Sequence, residues 1–145
     1  MNQRLIKLLG EPVQNEDHAA AEEIFPGHLI SRNSSAQVIK HATGGGNTAP
    51  MFALEREEMG QGVGAGVAAD AANYQIGDYV KAGTFHTGCV VRVWLASGQN
   101  INIGDKLESA GNGTLRVLAS GTALGTCLED TGALTELTGV AMEVL

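Results

Sequence analysis

Ile76-Gly77-Asp78-Tyr79-Val80 and Ile103-Gly104-Asp105-Lys106-Leu107 are the two stretches that decide the fold of this chain. Each reads apolar, Gly-Asp, any residue, apolar. Gly-Asp is turn chemistry: glycine takes positive φ without strain, and an aspartate carboxylate bonds backbone N–H groups close by in the chain. A strand-like run follows each echo. Two strands entered through the same tight turn describe a small, turn-dense β domain.

The strands can be followed outward from these turns. Tyr79 to Phe85 is one. Gly88 to Ala96 carries the clearest pattern: Cys89, Val91, Val93 and Leu95 form one apolar face, with Val90, Arg92 and Trp94 opposite. Alternation of this kind describes a strand with one face in the core, and it predicts that Trp94 is packed rather than free to bind. Lys106 to Ser109 and Thr114 to Leu118 flank Ala110-Gly111-Asn112-Gly113, a hairpin signal through its Asn-Gly step. Thr122 to Leu128 and Thr138 to Leu145 close the chain, with Val140, Met142 and Val144 on one face of the last strand. Toward the N-terminus, His28 to Ser31, Ala36 to His41 and Met51 to Arg56 are further strands, the last with Phe52 and Leu54 on one face. Strands spaced this closely, with glycine turns, indicate a mainly β domain, a small β-sandwich or β-barrel-like body.

Composition agrees. The chain has 145 residues, enough for one domain with a core of its own. It has six aromatics (Phe25, Phe52, Tyr74, Tyr79, Phe85 and Trp94), so aliphatic residues must fill most of that core. Its 20 glycines are about twice the usual share of roughly 7% and follow no collagen-like period. The net charge of −7 argues against wrapping nucleic acid, which needs clustered Lys and Arg. No apolar run approaches the roughly 20 residues that span a bilayer, and the N-terminus carries no signal-peptide pattern. Cys89 and Cys127 lie in apolar runs and read as buried, reduced thiols. These features describe a protein made in the cytoplasm.

Residues 1–23 read differently from the rest. Arg4 and Lys7 stand among Leu5, Ile6, Leu8 and Leu9, and the following stretch to Glu23 carries five acids and no base. Asp17 is placed to cap a short helix through Ala19–Glu23. The segment lacks the apolar surface to fold alone and reads as an arm. The division expected is therefore an extended N-terminal arm, 1–23, and a single β domain, 24–145. Within the body, residues 57–73 are rich in Gly and Ala and read as a long excursion.

Reactive constellations are missing from the sequence pattern. His18, His28, His41 and His86 share no metal-site spacing, and His86-Thr87-Gly88-Cys89 offers two ligand types where a structural zinc site takes about four ligands. Gly44-Gly45-Gly46 lacks the Lys-Ser/Thr of a phosphate loop. Glu55, Glu57 and Glu58 read as a solvated face rather than a carboxylate pair. No Gly-x-Ser-x-Gly elbow occurs. The reading is of a protein that binds or builds without catalysis, metal, cofactor or small-molecule substrate.

The order of Ile24-Phe25-Pro26-Gly27-His28-Leu29, Phe52-Ala53-Leu54-Glu55, Tyr74 to Val80, Ile103 to Leu107, Gly111-Asn112-Gly113-Thr114-Leu115 and Ala123-Leu124-Gly125-Thr126-Cys127-Leu128 resembles the capsid decoration, or cement, proteins of tailed bacteriophages. The resemblance runs over about residues 24–145. It implies a small β fold of β-tulip or jelly-roll type, a place on the outside of the virion capsid, and the major capsid protein as partner. It also implies homotrimers at threefold and quasi-threefold positions that stabilise the capsid, and it brings no catalytic residues. Members of the family reach onto the capsid with an N-terminal arm; here Arg4 and Lys7 would meet acidic surface while Leu5, Ile6, Leu8 and Leu9 supply apolar contact. Two other readings stand beside it, a virion-exposed carbohydrate-binding β module using Trp94, Tyr74 or Tyr79, and a small enzyme on a β-barrel.

Overall fold

A computed structural model describes residues 6–55, 73–130, 132–133 and 138–145. Among these the chain forms strands β1 (Lys7–Leu9), β2 (Val13–Asn15), β3 (Ile30–Arg32), β4 (Val38–Lys40), β5 (Met51–Ala53), β6 (Ala82–Thr84), β7 (Val90–Leu95), β8 (Asn100–Ile101), β9 (Lys106–Ser109), β10 (Leu115–Val117), β11 (Gly125–Cys127), β12 (Gly132–Ala133) and β13 (Thr138–Val144), and no helix.

Five of them close a barrel in the order β7-β10-β9-β11-β13, with β13 returning to β7. The β7–β10 pair is parallel and the rest are antiparallel. β13 runs the length of β7, from Thr138 against Leu95 to Glu143 against Val90. The other edge of β7 is shared. β10 meets it at Leu95, and β1 meets it at Val90 and Val91. β1 thus completes a wall that β10 leaves open. Closure removes the sheet edges that would otherwise present unpaired backbone groups.

The expected apolar faces fill this barrel. Cys89, just before β7, Val91, Val93 and Leu95 on it, and Val140, Met142 and Val144 from β13 are buried together with Leu107, Leu115, Leu124 and Cys127. A second core lies beside the barrel and gathers Ala20, Ile24, Ile30, Val38, Met51, Ala53, Tyr74, Val80 and Ala82. It is enclosed by the sheet β2-β6-β5, the hairpin β3-β4 and isolated bridges such as Ala20 with Val38 and Ile24 with Tyr74. Strand alternation joins the two cores. Phe52 and Leu54 point into the barrel core, as their shared face predicts, while Met51 and Ala53 point into the second. Tyr74 is fully buried between them, donating its hydroxyl proton to Leu54 O at 2.8 Å and accepting from Lys81 N at 3.3 Å. Tyr74→Phe removes both hydrogen bonds, and a loss of about 1–2 kcal/mol by chemical denaturation is expected.

The paired Gly-Asp echoes are matched turns. Gly77 and Gly104 each take φ +93°. Asp78 N donates to Gln75 O (3.0 Å) and Asp105 N to Asn102 O (3.1 Å). Each aspartate then returns the contact, accepting from Gln75 N or Asn102 N at 2.9 Å. The same turn occurs at Phe25-Pro26-Gly27-His28, with Gly27 at φ +96° and His28 N donating to Phe25 O at 3.1 Å. There His28 Nδ1 does the work of the carboxylate, accepting from Phe25 N at 3.1 Å. His86-Thr87-Gly88-Cys89 is a fourth copy, with Gly88 at φ +91° and Cys89 N donating to His86 O at 3.1 Å.

Two expectations about the N-terminal segment are corrected. Residues 6–23 are not a separate arm: Ile6 is fully buried in the barrel core, β1 pairs with β7, and β2 pairs with β6. Ile6 finds its partners in the gap beside β7. Nor does Asp17 cap a helix. Ala19 bridges to Tyr79 and Ala20 to Val38, and Asp17 N donates to Asn15 Oδ1 at 2.8 Å. A helix of one turn gains too little to cover nucleation and loses to these tertiary pairings. Residues 1–5 and 56–72, and with them all of the 57–73 excursion except Asn73, lie outside the described residues.

Candidate functional site

The residues expected to touch a partner scatter over the surface and core. Arg4 and Leu5 lie outside the described residues. Ile6 cannot be a contact in the folded protein: it is 0% exposed, its N–H donates to Glu55 Oε2 (3.1 Å) and its carbonyl accepts from Arg92 N (2.8 Å). Lys7 is bonded to both carboxylate oxygens of Glu11 at 3.1 Å. Leu8 is half-buried and Leu9 is exposed. The register shifts between Lys7 and Leu9, where a bulge turns Leu9 out of the wall.

The glycine-aspartate turns present apolar side chains to solvent. Ile76 is 74% exposed and Ile103 is 62% exposed, each at the second position of its turn. Tyr79 follows the first, exposed beside the bridge to Ala19. Leu128 follows Cys127, whose carbonyl accepts from Gly104 N at 2.9 Å, so it lies next to the second turn. Asp130 Oδ1 fixes that turn further by accepting from Ile103 N at 2.7 Å. Exposed isoleucines at corresponding positions of two rigid turns are the plainest adhesive features on the described surface.

Trp94 is packed as expected. Its indole N–H donates to Pro26 O at 2.8 Å, and Gly27 gives the ring room, since a Cβ there would stand 3.0 Å from the indole. Tyr74 is buried as well, which leaves Tyr79 as the exposed aromatic of the six. A sugar-stacking platform has little to build on here.

The structure also assembles a buried polar group that sequence reasoning did not find. Glu108 and Arg116 face each other across β9 and β10, and Arg116 Nε donates to Glu108 Oε1 at 3.1 Å. Ala119 N donates to the same oxygen at 3.0 Å. Burial pushes the Glu108 carboxyl up, and the Ala119 bond and Arg116 outweigh it, so the group titrates below the usual carboxylate range. Loops 43–46 and 119–122 cover it, joined by Thr122 N donating to Gly45 O at 3.0 Å. Next to Glu108 on β9, Ser109 Oγ lies 2.7 Å from His41 Nδ1. Ser109 is fully buried, so this pair is built for packing rather than attack on a substrate. The only sequence signals for the cluster were the register of Glu108 with Arg116 and the glycines of the covering loops. Among the described residues, no three His, Cys, Asp or Glu side chains stand where they could hold a metal ion. Cys89 and Cys127 are buried and unlinked, with Cys127 Sγ donating to Glu129 O.

Fold and surface together define an all-β protein, a five-strand closed barrel with a second small core and rigid, apolar-tipped turns. That fold is similar to the crystal structure of the head fiber gp8.5 N base in bacteriophage phi29, with a TM-score of 0.59 at 16% sequence identity, covering 92% of this chain and 93% of that one. No protein-family model and no curated protein matches the sequence.

Proposed function

We propose that this protein is a structural component of a tailed-phage virion that binds the outer surface of the capsid and stabilises it. The observation that carries the reading is the likeness to a phage head-fiber base over nearly the whole of both chains. The motif order that resembles decoration proteins supports it independently. The partner is then the major capsid protein, and the bound form is a homotrimer at threefold and quasi-threefold positions. Leu9 and the turns carrying Ile76 and Ile103 are the contacts we assign, with Arg4 and Lys7 meeting acidic surface. Each docked copy adds binding free energy that only the intact shell can collect, which raises the barrier to disruption through mass action and needs no turnover.

Capsids heated with and without saturating protein test this. Decorated heads are expected to release DNA at a higher temperature, with the protection unchanged by EDTA. Equal release curves would remove the stabilising function. Light scattering of the free protein and reconstruction of decorated heads test the trimer, and monomers in solution with no threefold clustering on heads would overturn it.

A further inference from the structure

The chain from His28 to His41 lies against the turn between β9 and β10. Leu29 N donates to Gly113 O (2.8 Å), Gly113 N to His41 O (3.2 Å), and His41 N to Leu29 O (2.9 Å). Both histidines are buried at this seam, His28 6% and His41 7% exposed. Gly113 is packed so closely that a Cβ on it would stand 3.1 Å from the His28 ring and from Lys40 Cβ. His28 also stacks on Phe25, with ring centroids 5.3 Å apart.

His28 Nδ1 accepts a hydrogen bond from Phe25 N. An imidazolium has no free lone pair, so this contact exists only while Nδ1 is unprotonated. The cation beside the ring discourages a proton. Lys40, on β4, stands beside it and is partnered by Glu22 at 3.6 Å. The turn 110–114 carries no charged side chain, and on β9 and β10 Glu108 and Arg116 are bonded to each other.

We propose that this seam is an acid-sensitive joint, in which neutral His28 locks the β3–β4 hairpin against the β9–β10 turn and its protonation releases them. The sign follows from the buried state. Burial first, and Lys40 second, lower His28 in the closed form from 6.5 to about 4. The open form therefore binds the proton more tightly. The lock is complete above about pH 6.5 and is lost as pH falls toward 4. At pH 5.0 the opening equilibrium is expected to rise about 30-fold over its value at pH 7.5.

Amide exchange on the full chain reads this directly, at Phe25, Leu29, His41 and Gly113, corrected for the intrinsic pH dependence. These amides are expected to lose about 30-fold in protection between pH 7.5 and 5.0, while amides of the β7–β13 ladder lose far less. The other turns of this kind name the control: Asp78 and Asp105 show that a side-chain oxygen fits the acceptor position. His28→Asn keeps a neutral acceptor there and cannot titrate, so its seam should stay protected at pH 5.0. Seam and ladder losing protection alike in the wild type, or His28→Asn opening as much as the wild type, would overturn the proposal. An NMR titration of the wild type gives a check that needs no variant: a His28 midpoint near 6.5 in the folded protein would also overturn it.

Discussion

A chain lacking residues 1–10 is expected to lose its cooperative melting transition or to melt far below the intact protein. Ile6 is fully buried in the barrel core, and its backbone bonds Arg92 on β7 and the Glu55 carboxylate. β1 supplies part of the wall beside β7, and Pro12, just beyond, packs on Gly83. Ile6→Ala alone should cost about 3 kcal/mol, from lost transfer energy and the cavity left behind. The deletion removes that and the strand pairing together, a large part of the roughly 5–15 kcal/mol that holds a domain folded. Calorimetry of the deletion and of Ile6→Ala decides. An unchanged transition in both would mean that the segment is a dispensable arm and that β1 does not complete the barrel. The single substitution matters for the functional reading too. Leu9→Ser, at an exposed position, should leave the melt unchanged and weaken capsid decoration, so that loss of binding and loss of fold can be separated.

Gly45→Val is expected to destabilise the protein more than Gly77→Val or Gly104→Val. The sequence gives the opposite order, since Gly45 sits in a run of three glycines that looks free to re-route. The structure places Gly45 at φ +70°, with a Cβ there meeting Glu108 Oε2 at 3.0 Å and Gly121 Cα at 3.2 Å. Gly77 and Gly104 also take positive φ, but nothing lies within 4 Å of a Cβ on either. The turn variants should therefore cost about 2 kcal/mol, the strain of a β-branched residue at positive φ. Gly45→Val adds overpacking against backbone and a buried carboxylate, for about 4 kcal/mol in all. Equal melting temperatures for the three would mean that loops 43–46 and 119–122 do not close over Glu108.

Much of the barrel was legible before any coordinates. The alternation in β7 and β13 placed seven side chains correctly in one core, because a strand has only two faces and a polar residue on the wrong one is costly. The Gly-Asp echoes gave two matched turns because positive φ and a carboxylate acceptor are local requirements, met within four residues. His28 in a third copy of that turn was not legible. Its Nδ1 acts as the acceptor while the ring is neutral, and burial against Gly113, from far along the chain, extends that neutral range to lower pH.

What the sequence by itself determined, then, is the local part: an all-β chain, its turns, and the inward faces of its longest strands. Only tertiary structure decided which strands meet. The N-terminal segment has too little apolar surface to declare itself a core element, yet β7 needs a second neighbour beyond the reach of β10, and Ile6 fills that place. Glu108 reads as an ordinary outward residue of β9 until loops from residues 43–46 and 119–122 cover it and Arg116 neutralises it. Backbone conformation is set by neighbours in the chain. Burial, and with it charge state and exposure, is set by residues brought together from far apart.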